Sequence, residues 1–332
     1  MEPTTPWRAQ ADALVQAATL APSSHNTQPW RFCVTPTAVA LYADRTRALP
    51  SNDPADRELT ISCGAALLNL RVAAARAGMG SRITLCPTAA EPDLLARLSV
   101  AEREPADPAL AALADALPAR HTHRAAMAER HVERPLIHRL AEAAAAEHVR
   151  LEPLLNDEQR AAAARLVVRG DRAQWSDPLW RRELAAWMRP RQAGDGLTVP
   201  RLAAPIIRLV IRRLDLGQRV AAENRRLVET APLLALLSTG GDGVTDWLAA
   251  GQGLQRLLLT ACRAGLKASY LNQPVQVPRL RTELRHLFGV GAPQLLLRLG
   301  YPSAGSGAKA APRRGVAAVT APDTAACRGA VA

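Results

Sequence analysis

Lysine is nearly absent from this chain: Lys267 and Lys309 are the two lysines among 42 basic residues, and the other forty are arginines. Aromatic residues are also scarce, at 3% of 332 residues. A formal charge of +12 would otherwise suggest a nucleic-acid partner. The arginines are spread along the chain, and no basic strip interleaved with aromatics exists to track a phosphate backbone. The charge is compatible with an anionic small ligand instead. The five cysteines, Cys33, Cys63, Cys86, Cys262 and Cys327, include no CxxC pair and are odd in number, so a disulfide framework is not expected and a reducing cytoplasm is the default. The start, "MEPTTPWRAQADA", lacks the basic-then-apolar pattern of a secretory signal. Long hydrophobic runs are missing too, so no integral membrane association is expected. The most apolar cluster, "LAAPIIRLVIRRLDL" (202–216), is interrupted by Arg208, Arg212 and Arg213 and reads as an internal helix or lid, with a membrane-surface helix as the alternative.

What is present is periodicity. An amphipathic stretch from Trp7 to Leu20 leads into "APSSHNTQPWRF" (21–32), which packs polar residues more densely than a turn requires. "WRFCVT" (30–35) and "AVALYAD" (38–44) read as two strands joined at Pro36-Thr37. Residues 53–80 read as a long helix closing at Gly78 and Gly80. "EPDLLARLSV" (91–100) supplies a further strand, and helix resumes from Ala109. Residues 64–79, "GAALLNLRVAAARAGM", align without a gap on 251–266, "GQGLQRLLLTACRAGL", with seven of sixteen positions identical and a shared Arg-Ala-Gly ending. The 187-residue offset is domain-sized rather than a solenoid period. It predicts two related α+β halves, residues 1–115 and 116–302, with a helical region at about 150–230 in the second half and without a counterpart in the first. The part of it at about 155–230 is expected as an insertion that forms a lid or substrate wall. Residues 303–332 read as a loose tail, with "GVAAVTA" (315–321) as a short strand.

Several motifs fail on their own terms. His25 beside Ser24 lacks the order or elbow of a hydrolase triad, and reads as a solvent-facing turn residue. His121, His123, His131 and His138 read as scattered surface histidines, since no carboxylate–His pattern completes a metal site. "TGGDG" (239–243) and "GSGAK" (305–309) lack the spacing of dinucleotide or phosphate loops. On residue types alone, "ARHTHRAAM" (119–127) reads as a basic loop between helices. Residues two apart in an extended segment point the same way, so Arg120, Thr122 and Arg124 could converge on one phosphate.

"APSSHNTQPWRF" resembles the flavin-contacting turn of the nitroreductase family, and Arg120-x-Thr122-x-Arg124 resembles that family's phosphate-gripping motif. The segments 30–74 and 246–302 resemble its Acg-like FMN-binding branch, in the same order along the chain. The resemblance implies an α+β nitroreductase-like fold in which two tandem halves form an intramolecular pseudo-dimer. It implies FMN as cofactor, NADH or NADPH as electron donor, and a small-molecule acceptor such as a nitroaromatic or quinone, reduced by a ping-pong cycle. Ser23, Ser24 and Asn26 would hold the ribityl chain or ring edge. Asn272 and Gln273 of "SYLNQP" would lie near the flavin edge, and Arg313 with Arg314, or Lys309, would add a basic phosphate contact. No catalytic side chain and no metal are implied. The chain would be a monomeric pseudo-dimer or a further homo-oligomer. The polar turn occurs in the first half and the basic motif in the second, so one FMN per chain is expected. A lid-closed protein that sequesters flavin with little turnover is the alternative.

Overall fold

The computed structural model describes residues 6–101, 103–306 and 310–321. The amphipathic start forms α1 (Pro6–Ala18). The expected hairpin forms as β1 (Trp30–Val34) and β2 (Ala38–Ala43), antiparallel, with Trp30 opposite Ala43. Helix α2 (Arg57–Arg76) is shorter than residues 53–80. Its start is delayed because the Asp53 carboxylate accepts from the Leu59 N–H at 2.9 Å and Asp56 adopts a left-handed conformation. It ends where expected: Gly78 has φ +74°, and Met79 N–H returns to Ala74 O. Strands β3 (Ser81–Leu85) and β4 (Leu94–Val100) complete a four-stranded sheet in the order β1-β2-β4-β3. A short helix α3 (Pro108–Ala111), capped by Asp107, leads towards the second half.

That half repeats the scheme. Helix α4 (Arg134–Ala145) precedes β5 (Arg150–Leu154), so the expectation of helix from residue 150 is corrected at its first five residues. The chain then leaves the sheet for α5 (Asp157–Ser176), α6 (Pro178–Trp187), a parallel pair β6 (Met188–Pro190) and β7 (Leu197–Val199), α7 (Ala204–Arg213) and α8 (Gly217–Glu229). It returns through β8 (Leu233–Thr239), the long α9 (Val244–Arg263) and β9 (Lys267–Tyr270). Two further helices, α10 (Gln273–Gln276) and α11 (Pro278–Phe288), precede β10 (Ala292–Gly300). The sheet order is β5-β8-β10-β9, the same first, second, fourth, third pattern as in the other half. Strands β8 and β10 are buried along their whole lengths. Burial on both faces leaves them without the alternation that would tell strand from helix, even though β10 carries Gln294 and Arg298.

The halves meet along α2 and α9, and the contact is reciprocal. A Cβ on Gly64 would lie 2.3 Å from Leu248 O, and a Cβ on Gly251 would lie 2.0 Å from Ile61 O. Gly64 and Gly251 are 187 positions apart, as are Ile61 and Leu248. Each of the latter pair is buried in the other half's core: Leu248 packs with Trp30, Phe32 and Leu67, and Ile61 packs with Leu254, Leu257 and Leu297. Such exchange is what a twofold-related interface produces.

The strand expected at 315–321 is instead a single helical turn, α12 (Val316–Val319), followed by one bridge from Thr320 to Phe32. Val319 is buried against the first-half core, and that burial favours a turn over an extended edge. Among the described residues, Cys63, Cys86 and Cys262 are free thiols and Cys33 takes part in a disulfide, a bond that the reducing-compartment expectation did not foresee.

Candidate functional site

The polar turn between α1 and β1 is strained. His25, Asn26 and Gln28 all lie in the left-handed region, at φ 49°, 53° and 53°. Non-glycine residues seldom adopt this conformation, and three within four positions persist only where the surroundings enforce them. The enforcement is visible. Gln28 N–H donates to Ser23 Oγ at 2.9 Å, and Ser24 Oγ donates to Glu58 Oε2 at 2.7 Å. Arg314 donates from its backbone to Gln28 Oε1 at 2.8 Å and from its side chain to Gln28 O at 3.1 Å, and lies 3.7 Å from Asp44. Arg314 therefore braces the turn.

Beneath the turn sits Glu58, buried at the start of α2. It accepts from Ser24, from Asn52 Nδ2 at 3.3 Å and from Gln276 Nε2 at 3.0 Å on both oxygens. Neighbouring Asp53 is pushed up to about 6 by burial and by the Glu58 charge.

Arginines gather on the other side. Arg120 is buried, donates to Leu20 O at 3.1 Å and leaves its Nε without a partner. Arg313 donates to Asn26 Oδ1 at 3.0 Å and to Leu20 O at 3.3 Å, and its Nε is likewise unpartnered. Burial first and the Arg120 charge second hold the Arg313 guanidinium down to about 10. Tyr270, at the end of β9, feels the charges of Arg120, Arg124 and Arg313 together, and its buried hydroxyl has no partner. His25 was expected to face solvent. Its Nδ1 is instead enclosed and unpartnered, and burial, with the Arg124 charge, holds the ring down to about 4. Among the described residues, none of Arg120, Arg124 and Arg313 forms an ion pair. Arg120 is buried, Arg313 half-buried and Arg124 exposed; burying cationic atoms without a carboxylate is costly, and here the Nε atoms of Arg120 and Arg313 are buried without a partner.

The other expected residues divide. Thr122 bridges to Ala268 and lines a cavity of about 280 Å³ with His121, Lys267 and Ser306. Against the expectation of surface histidines, His123 is buried, with Nε2 3.1 Å from Ala126 O. Asn272 Oδ1 accepts from Leu296 N–H at 3.0 Å, tying its loop to β10. Gln273 donates to Asp171 Oδ1 at 3.1 Å and leaves Oε1 buried and unpartnered. Lys309 lies outside the described residues.

The inserted segment closes over the turn. Asn26 donates to Gly196 O at 3.3 Å and Pro312 O at 3.1 Å, and Gln28 donates to Gly194 O at 2.9 Å. Glu183 accepts from the N–H groups of Ser51 and Asn52, both at 2.9 Å, and Arg47 pairs with Asp195.

Known proteins align with most of this chain's length. A Mycobacterium tuberculosis protein named provisionally as an NAD(P)H nitroreductase is 33% identical over 295 residues, covering 86% of this chain and 83% of the relative. The chain belongs to the nitroreductase superfamily, in its Acg-like branch. The M. tuberculosis protein Acg, named provisionally in the same way, is 28% identical over 317 residues, covering 90% of this chain and 92% of Acg. An uncharacterised M. tuberculosis protein is 31% identical over 303 residues, covering 86% and 85%. No family profile matches. Among solved structures, the FMN-dependent nitroreductase NfnB of Mycobacterium smegmatis in complex with NADPH aligns with TM-score 0.43 and 17% identity, covering 65% of this chain and all of NfnB.

Sequence reasoning missed Tyr270, Glu58 and Asp171. Tyr270 had a readable signal in its place within "SYLNQP" (269–274), two residues before Asn272, whereas Glu58 meets the turn residue Ser24 in space and not in sequence. Asp171 lies on the helical face of the insertion, where a carboxylate ordinarily meets water; here it is buried and held up to about 6 by desolvation, against the opposing hydrogen bonds from Asn224 and Gln273. Because its folded pKa lies above the unfolded value, its contribution to stability is complete in acid and is lost as pH rises through about 6. Between pH 5 and 7 that loss is roughly 1 kcal/mol. Asp171→Asn is expected to remove it, so that urea midpoints at pH 5 and 7 lie closer together in the variant. An unchanged spacing would show that Asp171 does not titrate in this window.

Proposed function

We propose that this chain is an NAD(P)H-dependent flavoprotein oxidoreductase holding one FMN between its first-half turn and its second-half arginines. One observation carries the reading: Arg120, Arg124 and Arg313 converge around Tyr270 without an acidic partner, and Arg120 Nε, Arg313 Nε, Tyr270 OH and His25 Nδ1 are buried and unsatisfied. A phosphate monoester supplies the charge and the acceptor oxygens these groups call for. Arg120, Arg124 and Arg313, with Thr122, would hold the phosphate. Ser23, Ser24 and Asn26 would line the ribityl chain and ring, with Gln273 Oε1 at the ring edge. Bound FMN supplies two-electron chemistry, accepting hydride from NADH or NADPH and passing electrons to a small acceptor such as a nitroaromatic or quinone. The protein's part is to orient the flavin, exclude water and place N–H donors against the charge of its reduced form. No side chain need act as an acid. A cytoplasmic location belongs to the same reading.

The site exists once because the second half lacks its turn. Eleven residues, 19–29, separate α1 from β1, whereas four, 146–149, separate α4 from β5. In that short link Glu147 is buried and pairs with Arg71 at 2.5 Å and Arg256 at 2.8 Å, so a carboxylate and its ion pairs stand where the first half has its polar turn.

The contacts of Asn26 and Gln28 with residues 194–196 favour a second reading, a latched site that sequesters flavin with little turnover. Visible spectra before and after anaerobic NADH or NADPH separate the two. Flavin that bleaches supports the oxidoreductase; flavin bound yet left oxidised supports sequestration; no flavin uptake sinks both.

A further inference from the structure

The insertion turns an apolar face outward. In α7 the buried side is formed by Ala204 and Ile211; Ile211 packs with Trp175, Trp180 and Leu184, and Arg208 anchors the helix by donating to Met188 O at 2.7 Å. The opposite side carries Leu202, just before the helix, then Ile206 and Leu209, exposed by 92%, 66% and 55%. The helical spacing of 206 and 209, with 202 one turn earlier, places all three in one stripe. Arg201, Arg212 and Arg213 flank it, all exposed and, among the described residues, without an ion pair. No acidic residue occurs from Leu197 to Leu214.

We propose that this face docks the protein on an anionic lipid surface. The exposed apolar stripe flanked by arginines fits a bilayer interface, into which apolar side chains sink while the flanking arginines remain among the headgroups. Charge decides against the obvious rival. A second copy would bring a like set of unpaired arginines against this one, and the nearest exposed carboxylate in sequence, Asp215 just past the helix, already accepts from the Gly217 N–H, whereas acidic headgroups attract each arginine. This inference concerns a surface distinct from the flavin site and does not depend on flavin chemistry.

The test is flotation of the full chain with vesicles of equal parts phosphatidylglycerol and phosphatidylcholine, and with phosphatidylcholine alone. The wild type is expected to float with the anionic vesicles only. Ile206→Asp/Leu209→Asp and Arg212→Glu/Arg213→Glu are each expected to weaken that binding about tenfold or more. The altered side chains are exposed, so melting temperatures should stay at the wild-type value. Absence of wild-type binding to the anionic vesicles overturns the proposal. Binding that survives Ile206→Asp/Leu209→Asp also overturns it, because net charge alone would then be responsible. So does concentration-dependent self-association abolished by that variant without vesicle binding, which would assign the face to a second copy.

Discussion

Replacing Arg120 by methionine is expected to weaken FMN binding about ten- to a hundredfold while leaving the cofactor-free protein as stable as the wild type, or more stable. The two halves of that expectation have one cause. Among the described residues the buried Arg120 guanidinium makes a single hydrogen bond, to Leu20 O, and its neighbour Arg313 adds a second positive charge. Without an anion the pair is an unreturned desolvation cost, and a methionine of similar length fills the space without it. With the phosphate present, a charge-assisted contact worth about 1.5–3 kcal/mol is lost. Fluorescence titration of FMN into the apoprotein, with thermal melts of the same samples, reads both quantities. A variant that binds FMN as tightly as the wild type would remove Arg120 from the site. One that loses affinity only because the apoprotein melts early would make Arg120 structural.

Gly64→Ala and Gly251→Ala should each destabilise the chain by about 3 kcal/mol or more. Helix propensity alone predicts the opposite sign, a gain of about 1 kcal/mol from replacing a mid-helix glycine. Sterics overrule it because the added carbon would lie 2.3 Å from Leu248 O or 2.0 Å from Ile61 O, and both obstacles are backbone. Backbone in a packed helix cannot swing aside as a side-chain end can, so α2 and α9 must separate. Separation would also withdraw Ile61 and Leu248 from the cores they fill in the opposite halves. Denaturant midpoints decide the matter, and a stabilising alanine at either position would refute the interlocked arrangement.

These two glycines show what could be read from the sequence. They head the gapless alignment of 64–79 on 251–266, and that alignment brings the pair together at the contact of the long helices. The repeated strand order follows the same duplication. Strands β8 and β10 were less legible, because their runs are buried on both faces and lack the period that marks a half-exposed strand. At the site, the turn at 21–32 and the arginines at 120–124 stand out by composition and spacing. Arg313 was expected as a basic contact and Tyr270 lies within "SYLNQP" (269–274), but that both meet the arginines at 120–124 depends on long-range separations that no local pattern encodes. His25 was misjudged for a related reason: a polar helix-entry turn residue ordinarily faces water, whereas here its ring is enclosed and feels the charge of Arg124 from the second half. Arg314 matched a basic-contact expectation by type, but Gln28 and Asp44 claim it for the turn.

The central claim is a single flavin shared between unequal halves. An equilibrium titration of apoprotein with FMN, at protein concentrations well above the dissociation constant, tests it most directly. The account predicts a break at one FMN per chain in the wild type, and weakened binding in Arg120→Met with no residual second site. A break at two per chain, or saturable binding unaffected by Arg120→Met, would contradict it.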